Sequence, residues 1–136
     1  MVHVFTYGSL MFDLIWSNVV EGSYEQVNGT IFGFERRCIR NELYPALIPG
    51  PVSSSVDGVL YFNVNTADLQ RLDSFEGSYY ARQTLQVHTE NNLFLAESYV
   101  LAAAYRRIAT KKAWDPEQFG DEGIERFIST YFGFDL

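Results

Sequence analysis

An α+β fold, built on a mostly antiparallel, barrel-like β-sheet with a few packed helices, is what this sequence predicts. Three observations lead there. Short extended segments punctuated by Gly, Pro, Asn and Asp recur along most of the chain. Only three stretches carry helical spacing. Strands and helices do not alternate strictly, as a parallel sheet would require. The length of 136 residues sets the scale: it suits one domain over residues 1–136 with a single useful core. Hydrophobic residues at 47%, charged residues at 20%, and 11 Phe, 9 Tyr and 2 Trp argue for a folded globular chain and against disorder.

The elements follow in order. Val4, Phe5 and Thr6 have extended character and run into Tyr7-Gly8-Ser9-Leu10. Next, "LMFDLIWSNVV" has apolar residues at 10, 11, 12, 14, 15, 16, 19 and 20, which predicts a short buried helix closed by Gly22. "QVNGTIFGFERRCIR" reads as extended, with Asn28-Gly29 and Gly33 as turns or bulges. "LYPALIPGP" is fenced by Pro45, Pro49 and Pro51, the mark of an edge strand or extended loop. "VDGVLYFNV" is a clear strand, with Asp57-Gly58 before its core.

"NTADLQRLDSFEG" is a short helix: Asn65 or Thr66 caps its start, Leu69, Leu72 and Phe75 recur at helical spacing, and Gly77 stops it. "YYARQTLQVHT" and "LFLAESYVLAAA" form a hairpin around Glu90-Asn91-Asn92. The final helix is the best marked. Asp115 is its N-cap, Pro116 its first residue, Gln118 follows the cap by three, and Trp114 is placed to staple onto Phe119. Ile124, Phe127, Ile128 and Tyr131 supply its buried stripe.

Charge and composition exclude several function classes. The net charge is −7 and the basic residues are scattered, so nucleic acid is not an expected partner. No apolar run reaches the length of a membrane span and the N-terminus lacks a signal-peptide pattern, which predicts a cytoplasmic protein without a membrane partner. The single Cys38 agrees with a reducing compartment and reads as a strand-face packing residue. His3 and His88 are widely spaced on predicted strands, with no ligand cluster around them, and read as ordinary strand residues.

Two features depart from plain structural logic. A strand that turns at Gly8-Ser9 into a helix leaves backbone N–H groups unpaired, which suits a carboxylate or phosphate; the same pattern also serves any sharp bend. It lacks GxxxxGK[ST] and GxSxG, so nucleotide binding and serine hydrolysis are unsupported. Glu76 ends a helix, where the dipole disfavours a carboxylate, and Asp73 one turn earlier adds a like charge. In its apolar and aromatic setting, "FEGSYY", it is a candidate general acid/base with a raised pKa; the alternative is a solvated carboxylate at a frayed helix end.

Taken together, the YGSL turn after the first strand, a "YPA" segment, "LDSFEG" followed by Tyr80-x-Arg82, and a late "WDPEQF" resemble the γ-glutamylcyclotransferase-like family. The resemblance is to its small branch, which includes plant avirulence-induced proteins and γ-glutamylamine cyclotransferases, and it spans almost the whole chain. It implies a γ-glutamylcyclotransferase-like fold with a pocket between the YGSL turn and the glutamate. Backbone groups of Tyr7, Gly8, Ser9 and Leu10 would hold the carboxylate and amine of a γ-glutamyl unit, and Glu76 would be the acid/base.

The implied reaction is an intramolecular aminolysis that closes 5-oxoproline and expels an amine. It requires no metal or organic cofactor and takes a small γ-glutamyl compound as its partner; the sequence assigns no oligomeric state. Tyr80 and Arg82 also match the family pattern, yet alternation puts both on one strand face, where they can simply pack and pair. Where several active relatives follow the turn with Gly and basic or Asn residues, this chain has "MFDLIW", which implies a more apolar wall near the leaving group. Two rivals share the constellation: an amide hydrolase or transferase using the same pocket, and a non-catalytic module that binds a small carboxylate or amine.

Overall fold

The computed structural model describes residues 1–131. The strands are β1 (Val2–Thr6), β2 (Gln26–Phe32), β3 (Phe34–Ile39), β4 (Pro45–Pro49), β5 (Ser55–Val64), β6 (Tyr80–His88), β7 (Leu93–Leu101) and β8 (Ala109–Ala113). The α-helices are α1 (Asp13–Val19), α2 (Thr66–Glu76) and α3 (Pro116–Tyr131), joined by two 3₁₀ segments, Ser9–Met11 and Ala103–Ile108. Five strands close into a barrel in the order β1-β5-β2-β6-β7, and a three-stranded sheet, β4-β3-β8, lies beside it. The fold is therefore α+β and barrel-like, as the sequence predicts.

Period-2 alternation builds two cores from the same strands. Phe5, Ile31, Leu60, Leu85, Val87 and Ala96 belong to one cluster, within the barrel. Their neighbours Val4 and Tyr61 face the other way and join Ile15, Trp16, Leu72, Phe119 and Phe127 of the helices. Trp16 stacks on Tyr61, ring centroids 3.7 Å apart and 5° from parallel, which seats α1 against β5. Arg36 of β3 ties the second sheet to the barrel: its guanidinium donates to the carbonyls of Tyr7 (2.8 Å) and Asp57 (3.1 Å) and lies over the Trp114 ring.

Several local expectations need correction. The "LMFDLIW" segment is not one helix. It is a 3₁₀ turn and α1, broken at Phe12, whose extended backbone (φ −90°, ψ 126°) caps both. That helix ends at Val19, before Gly22. Asn28-Gly29 is no turn either: β2 runs straight through it, with Gly29 opposite Gly58 on β5. A Cβ at Gly29 would lie 2.6 Å from Val87 Cγ1, so close packing explains that glycine. The real break is Gly33, at φ +82°, between β2 and β3. In α3 the cap is as expected, with Asp115 Oδ1 accepting from the Glu117 N–H at 2.9 Å and Trp114 packed on Phe119. The helix is kinked, however, at Gly120 (φ 42°).

Other expectations match what is seen. β4 is an edge strand. The Asn65 side chain caps α2 by accepting from the Asp68 N–H at 2.8 Å, and Gly77 ends it at φ +79°. β6 and β7 pair in unbroken register from Tyr80↔Leu101 to His88↔Leu93. Cys38 sits on β3, packed against the helix-side core. His3 lies between Phe62 and Phe94, and His88 against Phe32. Among the described residues no helix is long and apolar enough to cross a membrane.

β1 and β5 approach so closely that a Cβ at Gly58 would stand 2.1 Å from the Thr6 carbonyl oxygen and 2.6 Å from Phe5 Cζ. Neither can yield without opening the barrel. We expect G58A to lose about 3 kcal/mol of stability in urea unfolding. A loss of less than about 1 kcal/mol would mean that the two strands separate easily and that barrel closure does not constrain this seam.

Candidate active site

At the end of β1 the chain leaves the barrel through Tyr7-Gly8-Ser9-Leu10, and these four residues line a small pocket with Phe5, Thr6, Tyr44, Pro45, Glu76, Tyr80 and Tyr99. All five residues singled out from the sequence as site residues thus meet on one cavity. Its free volume is about 20 Å³, roughly the space of one water molecule.

The turn is held from several sides. Gly8 packs on the Pro45 ring, where a Cβ would lie 2.6 Å from Pro45 Cγ, so a side chain here would push β4 away. The Tyr7 hydroxyl donates to the Tyr99 carbonyl at 2.6 Å, and the Tyr7 carbonyl accepts from Arg36. The Met11 and Phe12 N–H groups close the 3₁₀ turn onto the Gly8 and Ser9 carbonyls. Among the described residues, the N–H groups of Gly8, Ser9 and Leu10 find no backbone acceptor. They are the unpaired donors that the start of any helical turn presents, here beside a pocket.

Glu76 lines the same pocket from the last position of α2, where it is half-buried. Burial pushes its carboxyl up to about 8 from an ordinary value of 4.5. No charged neighbour contributes to that rise. Asp73, expected to add like charge, is occupied elsewhere: its Oδ1 accepts from the Tyr99 hydroxyl at 2.6 Å and pairs with Arg82 Nε at 3.1 Å. The raised value expected from the apolar and aromatic setting of Glu76 is therefore seen, while the like charge expected from Asp73 plays no part in it. What faces Glu76 is a set of phenols, and its charge in turn raises the pKa values of Tyr7, Tyr44, Tyr80 and Tyr99, behind burial as the largest cause in each.

Asp68, two turns back on the same helix, shows what Glu76 lacks. Asp68 is completely buried. Burial opposes its ionisation, yet it accepts from the Glu21 and Gly22 N–H groups (both 2.9 Å), the Tyr24 hydroxyl (2.5 Å) and Arg71 (2.6 Å). These donors outweigh burial and hold its pKa at about 2. One helix thus carries a carboxylate fixed in the ionised form at its start and a carboxyl poised near neutrality at its end. Environments that push two carboxyls apart in this way separate a structural group from a proton-transfer group.

Tyr44, Pro45, Tyr80 and Tyr99 are pocket residues that sequence reasoning missed or set aside. Tyr80 both packs and lines the pocket, its hydroxyl donating to the Pro45 carbonyl at 2.7 Å. Arg82 only pairs, with Asp73 and Glu97. The "YPA" segment contained Tyr44 and Pro45, but nothing local marks Tyr99. Met11 and Phe12 are not in this pocket. They line a large open groove on the barrel, and no residue of "MFDLIW" lines the pocket that holds Glu76. Among the described residues no three His, Cys, Asp or Glu side chains gather as a metal site.

Residues 4–116 match the family model described as "Gamma-glutamyl cyclotransferase, AIG2-like". AIG2-like protein A of Arabidopsis thaliana is 30% identical over 137 residues, covering 95% of this chain and 78% of that protein. The solution structure of an Arabidopsis thaliana protein superposes with a TM-score of 0.70 at 26% identity, over 96% of this chain and 87% of that one. A structure named gamma-glutamyl cyclotransferase superposes with a TM-score of 0.64 over 74% of this chain and 66% of its own; at 16% identity this is a likeness of fold.

The Glu76 environment has a consequence for stability. With a native pKa of about 8 against 4.5, the folded state binds more protons than the unfolded one between those values, so stability falls as pH rises across that window. E76Q, which cannot ionise, escapes the loss. Thermal unfolding should show the two proteins alike near pH 4 and E76Q melting several degrees higher at pH 9. A pH-independent difference would show that the Glu76 carboxyl is solvated.

Proposed function

The chain belongs to the γ-glutamyl cyclotransferase, AIG2-like family, and on that premise we propose that it releases 5-oxoproline from a γ-glutamyl amine or γ-glutamyl amino acid, with Glu76 as acid and base. The observation that carries this is the Glu76 carboxyl: raised to about 8 by burial and lining one phenol-rich pocket with Gly8, Ser9 and Leu10, whose N–H groups find no backbone acceptor among the described residues.

In this mechanism the α-carboxylate of the γ-glutamyl group takes hydrogen bonds from the turn, which places the α-ammonium toward Glu76. Ionised Glu76 removes a proton from the ammonium. The freed amine attacks the side-chain carbonyl carbon, and the new C–N bond closes the five-membered ring. Glu76 returns the proton to the departing nitrogen as the old C–N bond breaks, and the second proton of the cationic ring nitrogen passes to the released amine, leaving 5-oxoproline and the amine as its ammonium. A pKa near working pH suits a group that must both take and give a proton. Nucleophile and electrophile belong to one molecule, so holding the folded conformer supplies much of the acceleration. Any unpaired turn N–H that reaches the carbonyl oxygen stabilises its developing charge.

Admission of the substrate requires movement, since the pocket holds about 20 Å³. Tyr44 is the side chain placed to give way: it is half-buried, lines the pocket, and its hydroxyl has no hydrogen-bond partner among the described residues. Tyr80 is tethered to Pro45 and Tyr99 to Asp73. A cytoplasmic setting accords with the lone thiol of Cys38.

Purified protein incubated with γ-glutamyl amines and γ-glutamyl amino acids should release 5-oxoproline, measured by mass spectrometry. E76Q should lose roughly a hundredfold or more. For the wild type, kcat/KM should rise about tenfold per pH unit and level off near pH 8, because the ionised carboxylate is the active form in the free enzyme. Turnover that survives in E76Q, or a profile flat from pH 6 to 9, would remove Glu76 from the chemistry.

A further inference from the structure

We propose that Tyr99 is the positioning residue that sets the separation between the two halves of this site, the Tyr7–Leu10 turn and the end of α2, and so holds Glu76 in reach of the γ-glutamyl group. This rests on the function proposed above. Among the described residues, Tyr99 is the one pocket residue hydrogen-bonded to each half. Its backbone carbonyl accepts from the Tyr7 hydroxyl at 2.6 Å, and its own hydroxyl donates to Asp73 Oδ1 at 2.6 Å. Its ring lies between these two bonds and lines the pocket, and the residue is 4% exposed.

The direction of the second bond is fixed. Burial first, and the Asp73 carboxylate next, raise the pKa of the Tyr99 phenol, so it stays protonated and donates. Asp73 is one turn before Glu76, and its carbonyl accepts from the Gly77 N–H at 3.1 Å in the turn that contains Glu76. Gripping the Asp73 side chain therefore grips the last turn of α2.

The grip is braced from the barrel. Arg82, directly opposite Tyr99 across the β6–β7 ladder, pairs with Asp73 and with Glu97 at 3.0 Å. Glu97 in turn accepts from the Thr84 hydroxyl at 2.5 Å. The match of Tyr80-x-Arg82 to the family pattern thus gains a physical role for Arg82: it completes a clamp on the helix that carries Glu76. The other side of that helix end is held separately, by Phe75 packed on Phe127 of α3. Loss of the clamp should therefore loosen the last turn without unfolding α2.

Y99F keeps the ring and the backbone carbonyl and removes only the bond to Asp73. For 5-oxoproline release, kcat should fall about tenfold to a hundredfold while KM stays within about twofold, since the turn that binds substrate is untouched. D73A should lose at least as much, since it also removes the pair with Arg82, and the double variant should be no worse than about twofold beyond D73A, because the Tyr99 hydroxyl acts through Asp73. Amide hydrogen exchange gives a reading independent of turnover: the Gly77 N–H should exchange at least about tenfold faster in Y99F, with Leu72 unchanged. An unchanged kcat, a loss confined to KM, or additive losses would overturn the proposal. Should the wild type release no 5-oxoproline from any substrate tested, the proposed function fails by itself; Gly77 exchange then decides the clamp, and an unaltered rate in both Y99F and D73A rejects it.

Discussion

A half-buried carboxyl group withdrawn from bulk water, with no cation or hydrogen-bond donor among the described residues to hold it ionised, is the constraint around which the barrel mouth is built. Left in solvent, Glu76 would be an ordinary surface carboxylate at a helix end, opposed only weakly by the dipole. Burial raises its carboxyl to about 8, the range that the proposed acid and base role requires. That burial depends on parts distant in sequence: the turn after β1, Tyr44 and Pro45 at the start of β4, Tyr80 on β6 and Tyr99 on β7. Asp68 shows that the protein can keep a buried carboxylate ionised when structure needs it, by supplying donors. None is supplied to Glu76.

Closure of the barrel makes the arrangement possible. β1 is fixed by β5 along one edge, at a distance only glycine at position 58 permits, so the chain leaves the barrel at a defined point. There Gly8 lets the backbone press on Pro45, and Arg36 secures the Tyr7 carbonyl. The second sheet thereby becomes a wall of the pocket. The hydroxyl of Tyr7 is tied up in structure at the Tyr99 carbonyl, while the N–H groups of Gly8, Ser9 and Leu10 find no backbone acceptor among the described residues.

What was legible in the sequence was what local chemistry decides. Asn65 and Gly77 delimit α2, and Asp115-Pro116 starts α3, because caps act within one turn. The β6–β7 hairpin follows from alternation around Glu90-Asn91-Asn92. The misread elements depend on packing. Asn28-Gly29 has turn composition, yet its glycine answers to Val87 on another strand. The break at Phe12 and the kink at Gly120 have no clear local mark.

The site divided along the same line. Gly8-Ser9 and Glu76 stood out because each was odd for its local element, and the family resemblance added Tyr7 and Leu10 to the turn. Tyr44, Tyr80 and Tyr99 looked ordinary, and only the closed sheet brings them to one cavity. Asp73 was read as a like charge acting on Glu76, since spacing along a helix shows proximity but not the Arg82 and Tyr99 that claim its carboxylate.

The most direct measurement is the ionisation of Glu76 itself in the ligand-free protein, followed by the ¹³C shift of its side-chain carboxyl from pH 3 to 10. A midpoint near 8 is expected, from burial alone. A midpoint near 4.5 would show a solvated carboxylate at the end of α2, and would remove the physical basis for placing acid and base catalysis at this position.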